Sequence, residues 1–243
     1  MDTKEYKNMF LNESSYWWYV GLHHLVSSYV SIEQKNNMNL RLLDAGCGTG
    51  GMLAQLSFCK NKTGFDYSSD AINFCEERGL NYCFVQDINT WTTVNKYDVI
   101  ISLDVLYHSE VIDDVKIMKS FYSTLNPGGI LILNLPAFNI LKRKHDEVVH
   151  TSRRYLKSDV NKILRQLGFT LEISTYRIPI LFIFLFFQKF TEKFKKEVHS
   201  DLSTLPTRIN NFLIKMIKLE NKLILKKVSF PIGSSIFVIA RKV

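Results

Sequence analysis

Residues 42–51, LLDAGCGTGG, restrict the fold of this chain more than any other stretch. An apolar run leads into an acid, and four of the six positions from 46 to 51 are glycine. Glycine reaches backbone conformations closed to other residues and lets a ligand approach the bare peptide. A short, continuously apolar run reads as a buried strand, and GGMLAQLSFC behind the turn reads as a helix. Strand, tight turn and helix amino terminus together form a binding edge, and ligands of open α/β sheets sit at such strand ends.

The rest of the chain repeats the alternation. KTGFDYS, YCFVQDI, YDVIISLDVLYH, ILILNLP, FTLEISTYRI and SSIFVIARK read as six further strands. Between them lie the amphipathic runs SDAINFCEERG, VIDDVKIMKSFYSTL (closed by the turn signal NPGG) and KSDVNKILRQLG, and YWWYVGLHHLVSSYVSIEQK precedes the first strand as a helix. Strands separated by helices predict an α/β fold, a seven-stranded, mainly parallel sheet with helices on both faces. One domain is expected over 1–243. It divides into a helical cover (1–38), a core (39–178), a helical insertion (179–233) between strands six and seven, and a last strand (234–243). The insertion is too long for structureless chain and is expected as two helices split near Pro206.

Charge is unevenly placed. Residues 139–227 hold 19 Lys and Arg against 8 Asp and Glu, and the remainder holds 12 against 15. A basic back half suits an acidic substrate or an anionic surface. The four cysteines (Cys47, Cys59, Cys75, Cys83) form no CxxC pair and no zinc-like spacing, so reduced thiols and no metal are expected. The amino terminus MDTKEYKNMF lacks an apolar h-region, which predicts a cytoplasmic protein.

Gly46, Gly48 and Gly51 satisfy the dinucleotide pattern G-x-G-x-x-G, with Asp66 downstream, and no Gly-Lys-Ser/Thr follows to make a phosphate loop. Asp44 separates the remaining readings. A carboxylate at the strand end repels a pyrophosphate but suits a ligand with an ammonium group or cationic character. S-adenosylmethionine carries both an amino acid moiety and a sulfonium, and no phosphate.

At this point the chain resembles the class I S-adenosylmethionine-dependent methyltransferases, of the small-molecule type, over about residues 40–178 and the last strand. LLDAGCGTG is similar to the family's first motif, GFDYS to the second-strand acid, QDI to the third-strand site, YDVIISLDVLYH to the fourth-strand motif, and LNPGGILIL to the turn into strand five. The resemblance implies a Rossmann-like fold with S-adenosylmethionine as cofactor and S-adenosylhomocysteine as product. Its implied cofactor residues are Asp44, Gly46, Cys47 and Gly48 at the glycine turn; Asp66 on the ribose hydroxyls, beside Tyr67; Asp87 on the adenine amino group, beside Ile88; and Leu103 at the end of strand four. ESSYWWYVGLHH resembles the family's cover segment, which adds Tyr16 and Trp17, although Leu22 and His23 stand where relatives carry an arginine.

In this family the acceptor lies over the ends of strands four and five. The (Asp/Asn)-Pro-Pro-Tyr motif of many nitrogen methyltransferases is absent there, and NLPAF follows strand five instead. The candidate acid–base groups are His108, His145, Asp146 and His150, since a histidine of ordinary pKa, about 6.5, takes a hydroxyl proton near neutrality. Arg153 and Arg154 are suited to a phosphate or carboxylate, with Tyr155 beside them. Residues 179–227 open with the charge-free IPILFIFLFF and continue basic and amphipathic. Such a segment suits a cap over an apolar acceptor, an anionic membrane surface or a homodimer face; as a cap it is expected beside the acceptor opening. The expected activity is O-methylation of a small-molecule or lipid-linked metabolite with an apolar part. N-methylation of a small amine, RNA methylation and a silent cofactor-binding module are the alternatives, and no nucleic-acid partner is expected, because the basic residues are not interleaved with stacking aromatics.

Overall fold

The computed structural model describes residues 3–142, 151–179, 182 and 205–243. The strands are β1 (Arg41–Ala45), β2 (Asn61–Asp66), β3 (Cys83–Val85), β4 (Tyr97–Leu103), β5 (Leu125–Pro136), β6 (Phe169–Arg177) and β7 (Ser235–Lys242). They form one sheet in the order β3-β2-β1-β4-β5-β7-β6, parallel except for β7, which runs antiparallel to both its neighbours. The strand order reverses between β1 and β4, so the crevice for a ligand opens there.

Alternation along each strand divides the core between the two faces. Leu42, Val99, Ile101, Ile130 and Ile132 face one side, and Leu43, Ile100, Leu131 and Leu133 face the other. The described helices are α1 (Thr3–Asn12), α2 (Trp17–Asn36), α3 (Gly51–Gln55), α4 (Ser69–Glu77), α5 (Asp114–Thr124), α6 (Lys157–Gln166) and α7 (Thr207–Leu225). Helices α2, α3, α4 and α7 bury apolar residues on the first face, and α5 and α6 cover the second.

Three local expectations are revised. Helix α1 went unread within the helical cover; it is held by Phe10, stacked on Phe74 of α4 with ring centroids 4.8 Å apart. The helix after the glycine turn stops at Gln55 instead of running on to Cys59. The NPGG turn does not precede the fifth strand but lies inside β5: Leu125 already pairs with Tyr97, and pairing resumes at Val99 and Ile130 after a register shift.

Of the two helices expected in the insertion, the first falls largely on residues outside the described ones, and the second is α7, directly after Pro206. It docks on α2. Ile217 fills the space a side chain at Gly21 would need, and Asn221 Nδ2 donates to the Gly21 carbonyl (2.8 Å). Asn210 Oδ1 accepts from the Trp17 amide (2.9 Å). Ile224 reaches the sheet core, so this helix is part of the sheet's own cover and not only an addition beside an opening. Its first half meets Trp17 and Ile178 at the carboxyl end of β6.

Candidate functional site

The carboxyl ends of β1 and β2 bring two acids to the glycine turn. Asp44 is 2% exposed, and its carboxylate accepts no hydrogen bond among the described residues. Burial pushes its carboxyl well above the usual range, and Cys83, Asp66 and Glu13 add to the rise. A cation beside it would relieve both effects. Asp66 has its oxygens arrayed: Oδ2 accepts from the Gly48 amide (2.9 Å), and Oδ1 from the Ser68 amide (3.0 Å) and the Tyr6 hydroxyl (3.3 Å). Burial raises its pKa while these donors hold it down. Gly46 has φ of 87°, and a side chain on it would strike Val105 just past β4, so the turn requires glycine on both counts.

Helix α1 lies on this turn. Glu13 Oε1 accepts from Thr49 Oγ1 and from an Arg78 guanidinium nitrogen, each at 2.5 Å. Arg78 also donates to the carbonyls of Thr49 and Phe10, both at 2.9 Å. Met9 stands over Gly48. The charge pairing matters because Glu13 is almost fully buried, which pushes its pKa up.

Other predicted cofactor residues vary in place. Cys47 is buried in the turn, and Leu103 is half-buried at the end of β4. Tyr67 follows Asp66 with 59% of its surface exposed. Asp87 stands beside the β2 end, since the Gln86 amide bonds the Asp66 carbonyl (2.8 Å). Its own Oδ1 accepts from the Asn89 amide and side chain, both at 2.8 Å, and Ile88 packs on the core. Trp17 is carried elsewhere: it packs with Ile178 and Ile217 at the end of β6, with Tyr16 and Trp18 against that group.

On the acceptor side, His145, Asp146 and His150 lie outside the described residues. Thr151, the next residue, forms a bridge with His108, whose ring stacks on Tyr107 at 4.4 Å. Arg153 and Tyr155 are committed to the scaffold. Arg153 pairs with Asp114 (3.2 Å) and donates to the Val111 carbonyl (2.7 Å), while the Tyr155 hydroxyl donates to Asp114 (2.6 Å). Arg154 donates to the Ala137 carbonyl (3.0 Å).

The structure adds a group that the sequence reading passed over. Asp104 is the first residue past β4, partly exposed, with φ of 57°. Its Oδ1 accepts from Asn134 Nδ2 of β5 (2.9 Å). Asn134 in turn accepts from Arg177 at the end of β6 (3.3 Å). Arg177 is fully buried, its Nε and second terminal nitrogen have no partner among the described residues, and the carboxylates of Glu220 and Asp104 steady its charge. Burial raises the Asp104 pKa to about 6 against the opposing pull of Asn134 and Arg177. Tyr19 of α2 sits in the field of Glu13 and Asp104, and burial keeps its phenol protonated. Nearby on α2, burial lowers the His23 pKa to about 4. Asn134 and Arg177 did leave a signal, as polar residues interrupting the apolar runs ILILNLP and STYRIP.

A parallel sheet with an antiparallel β7 between β5 and β6, a glycine turn after β1 and an acid ending β2 define a class I S-adenosylmethionine-dependent methyltransferase. The chain belongs to the methyltransferase-domain family, which it matches over residues 36–179, and the cofactor of that family is S-adenosylmethionine. No curated protein matches the sequence. Solved structures share the fold. Magnesium protoporphyrin IX methyltransferase from Synechocystis PCC 6803, with bound S-adenosylmethionine, is 18% identical over 93% of this chain and 81% of its own (TM-score 0.54). An S-adenosylmethionine-dependent methyltransferase from Clostridium acetobutylicum is 16% identical over 90% and 92% (0.57). The plantazolicin methyltransferase BpumL, in complex with S-adenosylhomocysteine, is 14% identical over 98% and 89% (0.60). Identities this low speak to fold alone. Among the described residues, no helix is long and apolar enough to cross a membrane.

Proposed function

We propose that this methyltransferase acts on a hydroxyl of a small or lipid-linked metabolite with an apolar part, and that Asp104 takes the hydroxyl proton. The cofactor supplies the electrophilic methyl and its own leaving group. In this reading Asp66 meets the ribose hydroxyls, Asp44 faces the cationic part of the cofactor, and Asp87 meets the adenine. The observation that carries the acceptor half is Asp104 at the end of β4, with a pKa of about 6 and Oδ1 held by Asn134. Near neutrality it is ionised, and Oδ2 is left to accept a proton. The charge-free run IPILFIFLFF that follows β6 in the sequence favours an acceptor with a hydrocarbon part. His108, His145 and His150 are the competing bases.

The test incubates the protein with methyl-labelled S-adenosylmethionine and fractionated metabolite and lipid extracts, and identifies the labelled product. A methyl ether is expected; a labelled ester, amine or RNA overturns the acceptor assignment. On the acceptor so found, Asp104→Asn should slow transfer at least about 100-fold, the scale of general-base loss, with cofactor affinity unchanged. A variant retaining full rate moves the base to one of the histidines.

A further inference from the structure

Three of the four cysteines, well separated in sequence, meet beneath the glycine turn. Cys47 belongs to the turn, Cys75 to α4 and Cys83 to the start of β3. Their Sγ atoms lie within 4.8 Å of one another, and no His, Asp or Glu joins the group among the described residues. All are buried, and none is in a disulfide. Packing accounts for a buried thiol here and there. It does not require three sulfur tips from three elements to converge on one point.

The spacing suits a trigonal ion. Metal–thiolate bonds of about 2.3 Å set the sulfurs of a planar three-coordinate site about 4 Å apart, so closure needs only small side-chain shifts. Structural zinc takes four ligands, and no fourth stands in the group, whereas soft all-thiolate sets select monovalent copper. We propose that Cys47, Cys75 and Cys83 form a three-coordinate thiolate site for a soft metal ion, with Cu(I) as the ion its donor set fits. Each thiol loses its proton to solvent as a metal–sulfur bond forms, with no change of oxidation state. The bonds would tie the turn to α4 and β3, and end the present hydrogen bond from Cys75 Sγ to the Gly48 carbonyl (3.3 Å). The side nearest solvent is β3, a three-residue edge strand whose Phe84 and Val85 are 43% and 53% exposed.

Reduced full-length protein is titrated anaerobically with Cu(I) in competition with bicinchoninate, followed by X-ray absorption and thermal melting. One Cu(I) retained per chain, a shell of three sulfurs and a raised melting midpoint are expected. Cys75→Ser and Cys83→Ser should weaken retention at least 100-fold. Cys59→Ala should not, since Cys59 lies apart, against the Leu40 carbonyl. A serine in the core can also unfold the protein, so the wild-type competition and shell decide by themselves. Surrender of the copper to the chelator, a shell of nitrogen or oxygen, or equal loss in Cys59→Ala overturns the site.

Discussion

The two halves of the sheet's carboxyl edge are built differently. At β1 and β2, acids face backbone amides and hydroxyls: Asp66 is held by Gly48, Ser68 and Tyr6, and the Asp44 carboxylate has no donor among the described residues. At β4, β5 and β6, a buried cation, Arg177, is set against Asp104 and Glu220, with Asn134 between. The first half carries an excess of negative charge that a cationic cofactor can satisfy. The second largely balances its charge internally, so what it offers an acceptor is position and one oxygen of tunable protonation.

The largest effect should come from breaking that internal balance. Removing one partner of a buried ion group leaves the others uncompensated, at about 3–5 kcal/mol. Arg177→Ala should therefore destabilise the fold by that amount in urea unfolding, and Arg177→Met by less, because methionine fills more of the fully buried space that alanine leaves empty. Loss below about 1 kcal/mol in both variants would mean that the cluster is not an electrostatic unit, and the contrast between the two halves would fail.

Asp104 gives the next effect, read through pH. Its folded pKa of about 6 lies above the unfolded value of about 3.9. The contribution is therefore fully present below about pH 4, falls as pH rises, and is lost above about pH 6, a difference of about 3 kcal/mol. Asp44, Glu13 and Glu220 are shifted the same way, so the wild-type slope is a sum. The slope removed by Asp104→Asn isolates this residue: the variant should lose less stability between pH 4 and pH 7. Identical slopes would place the Asp104 pKa in the ordinary carboxylate range and weaken it as a base.

The same contrast explains what the sequence showed. The glycine turn, the acids ending β1 and β2, and the strand–helix alternation are local patterns, each complete within a few residues, and the sheet and the cofactor class followed from them. Asp104, Asn134, Arg177 and Glu220 come from four elements and acquire meaning only when the antiparallel β7 sets β6 beside it. The thiol trio is the same case, since no spacing in the chain announces that α4 and β3 point at one turn. Arg153 and Tyr155 erred in the other direction. Arg153 is suited by type to an anion grip with Arg154, and Tyr155 stands beside them in the chain, but Asp114, some forty residues away, takes both Arg153 and Tyr155. Resemblance alone points to Trp17 as a cofactor neighbour, and α7 holds it with Ile178 at the end of β6.

The smallest effects test the cofactor half. Asp66→Ala should weaken S-adenosylmethionine binding by about 1.5–3 kcal/mol, the range for a hydrogen bond to a charged group. Unchanged affinity in calorimetry would remove Asp66 from the ribose. Tyr6→Phe sharpens the point in the opposite sense. The Tyr6 hydroxyl, at 3.3 Å, is the longest of the three hydrogen bonds to Asp66 and the only one from α1, so it is the donor a ribose hydroxyl would replace. Removing it frees one acceptor position on Oδ1 in advance, with the Ser68 amide still bound, and affinity should rise about fivefold, or about 1 kcal/mol. Weaker binding would instead make Tyr6 a lasting part of the site, with α1 closing onto the cofactor rather than yielding to it.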